Sequence, residues 1–171
     1  MMHIPSQTAI IVKSHLNRIG VAMKRMLFVC LGNICRSPLA EGIARKVIEE
    51  RGLKVTVDSA GTSNWHEGEQ PCEHSIKVAR SHGIDISNQR SRPLAKEDLH
   101  TYDFIIAMDE QNKTDLENFG FDTVLKIGDF GGFEGADVPD PYFFPGFEGF
   151  EKVYAMIDLS VRDMFENISA L

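Results

Sequence analysis

LFVCLGNICRSPLAEGIARKVIEE, residues 27–50, holds a strand, a turn and the start of a helix in one run. Met26–Leu31 is a short apolar stretch stopped by Gly32-Asn33, which predicts a buried strand. Ser37-Pro38 then opens a helix, with proline in the first turn, where a missing N–H costs nothing. Leu39, Ile43, Val47 and Ile48 fall on one face, and Gly52 ends the helix. Cys30 is thereby placed at the carboxyl end of the first strand, the edge at which open α/β sheets bind ligands.

Outward from this run, strands alternate with helices. Lys54–Gly61 alternates and predicts a second strand; Glu73–Gly83 reads as a helix with glycine at its end. Tyr102–Asp109 predicts a third strand, Asp109–Gly120 a helix, and Thr123–Phe130 contains a fourth strand. Phe150, Val153, Tyr154, Ile157, Val161, Met164, Phe165 and Ile168 recur at helical spacing and predict a long C-terminal helix. The pattern predicts an α/β fold with a four-stranded parallel sheet covered by helices on both faces. Asp129–Gly149 is a long Gly-, Pro- and aromatic-rich stretch, and loops of that length in compact domains are usually functional or mobile.

The chain of 171 residues suits one domain, with 43% apolar and 25% charged residues. Its formal net charge of −7 argues against general nucleic-acid binding. Three cysteines, Cys30, Cys35 and Cys72, are too few for a secreted disulfide framework, and the absence of a CxxC pair argues against zinc. Cys72 reads as a small apolar core residue. Residues 1–25 form a basic extension without acids, and 26–171 a single catalytic domain. The extension is either an organellar transit segment or, the reading we favour, an over-long start with Met23 or Met26 as the alternative. Its apolar run Ala9–Val12 is too short to span a membrane.

The loop after the first strand has the makings of an anion cradle. Leu31, Gly32, Asn33, Ile34 and Cys35 run into a helix N-terminus, where successive backbone N–H groups converge. Gly32 permits the tight turn, and Asn33 tolerates a left-handed conformation. Arg36 supplies a planar, permanently charged fork for phosphate oxygens. In such a setting a thiol pKa can fall from about 8.5 to roughly 3.5–7.5, so Cys30 is the expected nucleophile. Ser37 is placed to donate a hydrogen bond to its sulfur. Expelling a phenolate also needs a proton, and Asp140, stiffened by Pro139 and Pro141, is the best acid available. His66 and His82 read as loop or capping residues, and His74 and His100 as solvent-facing.

With these residues in place, the chain from Met26 to Leu171 resembles the low-molecular-weight protein tyrosine phosphatases. The resemblance is carried by VCLGNICRSP, DSAGTSNWHEGEQP, HGIDIS, MDEQN and DPYFFPGFEGFEKVY. It implies Cys30 as nucleophile, Arg36 as phosphate clamp and Asp140 as general acid and then base. It implies Asn33 as the residue holding the loop and Ser37 as the orienter of the thiolate. Trp65 falls at the pocket rim and Tyr142 on the opposite wall. It also implies no cofactor or metal, tyrosine-phosphorylated proteins and a cognate kinase as partners, no nucleic acid or membrane partner, and a cytoplasmic location. Gln89 stands where many members carry a histidine that braces the loop asparagine.

Rival activities on this fold are arsenate reduction and arginine dephosphorylation. The first needs two downstream cysteines, and only Cys72 is present, without a visible partner. Arginine phosphatases resemble this loop with threonine where Ile34 stands; the bulkier Ile34 suits a flat aromatic ring. A phosphocysteine carrier would dispense with the acid, which the presence of Asp140 opposes. A protective Cys30–Cys35 disulfide is chemically plausible at this spacing.

Overall fold

The computed structural model describes residues 23–169. The sequence expectations for residues 1–22 lie outside the described residues. Lys24 and Arg25, counted above with the extension, belong to the first strand.

The elements follow in the order β1 (Lys24–Cys30), α1 (Arg36–Arg51), β2 (Val55–Gly61), α2 (Glu73–Ser81), α3 (Asp98–Thr101), β3 (Phe104–Ala107), α4 (Glu110–Phe119), β4 (Val124–Lys126) and α5 (Glu148–Ser169). The four strands form one parallel sheet in the order β2-β1-β3-β4. β1 is central and alternates between two cores. Met26, Phe28 and Cys30 join one with α1, α2 and α5; Leu27 and Val29 join the other with Leu116 of α4 and Phe121. Burial on both faces explains the unbroken apolar run of β1. Each large side chain so buried contributes about 1.5–3 kcal/mol.

The chain moves from β1 to β2 on one side and to β3 on the other, so the sheet order reverses beside β1. That is the topological switch point, where the diverging connections leave a crevice at the strands' carboxyl ends. The loop after Cys30 lies there. α1 starts one residue earlier than Ser37-Pro38 suggested, at Arg36, and ends on Gly52 in a left-handed conformation (φ 61°) whose N–H bonds the Ile48 carbonyl. Two short 3-10 turns, Ile127–Asp129 and Pro141–Phe143, give local order to the long stretch before α5, which sequence reading had assigned no helical structure. Among the described residues, no helix is long and apolar enough to cross a membrane.

Candidate active site

Cys30 ends β1 with 2% of its surface exposed. Its sulfur lies 3.0 Å from Ser37 Oγ in the first turn of α1. Asn33 Nδ2 donates to the same Ser37 Oγ at 2.8 Å. That bond occupies the hydroxyl as acceptor and leaves its proton for the sulfur. Asn33 is the loop's left-handed residue (φ 54°), and its amide holds that conformation from both ends. Nδ2 donates also to Ser59 Oγ at 3.0 Å, while Oδ1 accepts from the Arg92 backbone at 3.0 Å. Ser59 in turn donates to buried Glu41 at 3.0 Å, and Arg45 donates to Glu41 at 3.2 Å.

The left-handed residue of the loop is Asn33, as its type suggested. Glycine at 32 allows close approach, since an added Cβ would sit 3.1 Å from the His66 ring. One expectation is corrected: Gln89 does not brace Asn33. Its Nε2 donates to the Pro38 carbonyl at 3.1 Å, which steadies the start of α1 rather than the loop amide.

Arg36 is 5% exposed. Its Nη1 donates to Asp109 at 2.6 Å and to the Val138 carbonyl at 3.1 Å. Asp109 is itself fixed, because its other oxygen accepts from Asn112 N at 2.7 Å and caps α4. Burial opposes the Arg36 charge, but Cys30, then Asp109, then Asp140 hold its pKa above the ordinary arginine value. Asp109 escaped sequence reading as a site residue. It stood only at the start of the expected helix Asp109–Gly120, and nothing local linked it to an arginine 73 positions earlier.

Cys30, Leu31, Gly32, Ile34, Cys35, Arg36, Trp65, His66, Asp140 and Tyr142 line one cavity of about 210 Å³. Trp65 is 70% exposed and Tyr142 60%, so both stand at the mouth. Asp140 is fixed by its own turn, where Oδ1 accepts from Tyr142 N at 3.0 Å. His66 also lines the cavity, where sequence reading made it a loop residue; its Nδ1 pairs with Glu69 at 2.7 Å. A larger cleft of about 700 Å³ beside α1 is lined by charges of both signs, including Glu41, Arg45 and Asp58, and by no nucleophile. The chemistry therefore belongs to the smaller cavity.

Cys72 is neither fully buried nor alone. Its sulfur lies 3.0 Å from that of Cys35, in contrast to the partnerless reading. Among the described residues, no three His, Cys, Asp or Glu side chains converge as metal ligands.

The family model for low molecular weight phosphotyrosine protein phosphatase matches residues 25–170. The low molecular weight protein-tyrosine-phosphatase YfkJ of Bacillus subtilis is 41% identical over 133 residues, covering 74% of this chain and 85% of the relative. The crystal structure of a protein tyrosine phosphatase from Entamoeba histolytica superposes with a TM-score of 0.80 at 35% identity, covering 86% of this chain and 97% of that one. A Drosophila arginine phosphatase superposes with a TM-score of 0.76 at 33% identity, covering 82% of this chain and 95% of that one.

Proposed function

The chain belongs to the low molecular weight phosphotyrosine protein phosphatases, and we propose that it hydrolyses protein phosphotyrosine through a cysteinyl phosphate on Cys30. The observation that carries this reading is the convergence of Cys30, Arg36 and Asp140 on one cavity.

In the first step Cys30 attacks the phosphorus in line with the leaving phenolate oxygen, and Asp140 protonates that oxygen as the P–O bond breaks. Arg36 takes equatorial oxygens with Nε and Nη2, while Asp109 and the Val138 carbonyl hold Nη1 and so set the plane of the fork. Backbone N–H groups of the loop stabilise the remaining charge. In the second step Asp140 takes a proton from water, the water oxygen attacks phosphorus, and the sulfur leaves as thiolate. Ser37 hydrogen-bonds the sulfur in both steps. Asn33 keeps Ser37 and the loop in place through the three hydrogen bonds of its side chain, to Ser37, Ser59 and the Arg92 backbone.

Leu31, Gly32, Ile34, Cys35, Trp65 and Tyr142 form the walls that receive the substrate ring. Ile34 is the residue that favours an aromatic ring over the guanidinium handled by the arginine phosphatase of similar fold. The substrates are tyrosine-phosphorylated proteins supplied by a kinase, the setting is the cytoplasm, and residues 26–171 form the catalytic domain.

The test is the leaving-group dependence of Asp140→Ala. With aryl phosphates of rising leaving-group pKa, the variant's defect grows steadily, because only poor leaving groups need the proton. An equal defect across the series removes Asp140 from the acid role.

A further inference from the structure

The protein carries a second pair of thiols that hydrolysis does not use. Cys35 and Cys72 are 37 positions apart, yet their sulfurs lie 3.0 Å from one another, about 1 Å beyond the length of a disulfide bond. Both are free in this structure. Their positions are equivalent: Cys35 is the N-cap of α1 and Cys72 the N-cap of α2. Two helix N-termini therefore converge on two sulfurs, a setting that favours thiolate. The backbones are tied as well. Cys72 N donates to the Ile34 carbonyl at 2.8 Å, and Ser75 Oγ donates to the Cys35 carbonyl at 3.2 Å while contacting Cys72 Sγ at 3.2 Å. The tether holds the pair together without either thiol having to move far.

We propose that Cys35 and Cys72 form a reversible disulfide, a redox modification site in the cavity wall that engages Cys35 and leaves Cys30 free. The two sulfurs have different roles. Cys72 is partly exposed, whereas Cys35 is 6% exposed, so an oxidant meets Cys72 first. The hydrogen bond from the Cys35 thiol lowers the Cys72 pKa to about 6, against the opposing effect of burial, so Cys72 is the attacking thiolate at neutral pH. The same shared proton raises the pKa of Cys35, which stays protonated until it is called on.

With a small disulfide such as oxidised glutathione, Cys72 thiolate attacks one sulfur and expels glutathione thiolate, giving a mixed disulfide. Cys35 then loses its proton and attacks the Cys72 sulfur, expelling the second glutathione thiolate. Two protein thiols are oxidised, one glutathione disulfide is reduced, and the two protons end on the two glutathione molecules. A dithiol reductant reverses the sequence.

Tyr142 links the pair to the acid loop. Burial and then the two nearby sulfurs raise the pKa of its phenol, and its backbone N–H holds Asp140. The oxidation state of the pair therefore bears on the segment that carries the acid. The bridge itself does not depend on the reaction assigned to Cys30; its value in sparing the nucleophile does.

The experiment treats the reduced full-length protein with oxidised glutathione, blocks remaining thiols by alkylation and maps the peptides by tandem mass spectrometry. Cleavage after Leu31 separates Cys30 from Cys35, which otherwise share one tryptic peptide. The proposal predicts a Cys35–Cys72 cross-link with Cys30 alkylated, reversed by dithiothreitol and absent in Cys72→Ser. A Cys30–Cys35 cross-link with Cys72 alkylated overturns it, and so does a map in which Cys35 and Cys72 are both alkylated. Loss of phosphatase activity in the native protein or in Cys72→Ser leaves this readout unaffected, so failure of the reaction assignment and failure of the bridge are told apart.

Discussion

Replacing Asp109 removes two interactions at once, and two substitutions separate them. Asp109 gives one oxygen to Arg36 at 2.6 Å and the other to Asn112 N, the cap of α4. Asp109→Ala deletes the counter-charge of an arginine that is 5% exposed. Breaking a buried pair from one side costs about 3–5 kcal/mol, and the partial exposure of Asp109 favours the lower end. Loss of the N-cap adds about 1 kcal/mol, for a total of about 4 kcal/mol. At roughly 2–4 °C per kcal/mol for a protein of this size, the midpoint falls by about 8–16 °C. Asp109→Asn keeps the cap and a neutral hydrogen bond to Arg36, so its loss is about 2 kcal/mol. Either change weakens the hold on the guanidinium fork, Asp109→Ala more than Asp109→Asn, and a misplacement of about 1 Å costs roughly 100-fold in turnover. Inorganic phosphate offers Arg36 a replacement counter-charge, so it raises the midpoint of both variants more than that of the native protein. Thermal unfolding with and without phosphate, beside turnover of p-nitrophenyl phosphate, reads all of this. Equal stability of Asp109→Asn and the native protein, or of the two variants, would refute the division into charge and cap.

Other perturbations probe the loop's support and the substrate wall. Burial raises the Glu41 pKa above its ordinary 4.5, with Arg45 and Ser59 working the other way. The folded protein thus binds a proton that the unfolded chain has released, so stability falls as pH rises from about 4.5 through the raised folded value. Glu41→Gln abolishes that slope in urea unfolding followed across the window, and an unchanged slope would assign it to another group. Ile34→Thr trims the wall beside the ring, so the ratio of phosphotyrosine to phosphoarginine hydrolysis falls by about tenfold; a constant ratio would remove Ile34 from substrate choice. Gly42→Ala gains about 1 kcal/mol of helix propensity, but its Cβ would stand 2.5 Å from Ile86 Cγ2. Overpacking costs about 1–3 kcal/mol, so the clash prevails and denaturant unfolding shows a net loss.

What could be read from the residues alone was local. The apolar run at Leu27–Val29, the Gly-Asn turn and the proline in the first helical turn each have a short-range cause, and together they place Cys30 at a sheet edge. The alternation of strands and helices likewise gave the parallel sheet. The order β2-β1-β3-β4 was not legible, because strand neighbours depend on contacts far apart in the chain. The same limit hid Asp109 as the partner of Arg36 and Cys72 as the neighbour of Cys35. Each residue had an adequate local reading, as a helix start and as a core residue. Gln89 shows the reverse error: position suggested a brace for Asn33, but the side chain reaches Pro38, and the Arg92 backbone takes the asparagine oxygen.

The covalent intermediate is the most direct test of the assignment of chemistry to Cys30. Rapid acid quench of the protein turning over p-nitrophenyl phosphate, followed by peptide mass spectrometry, is predicted to find one phosphoryl group on Cys30. Asp140→Ala, whose breakdown step lacks its base, should accumulate more of it. A phosphoryl group on Cys35 or Ser37, or steady turnover with no phosphorylated peptide in either protein, would contradict the account.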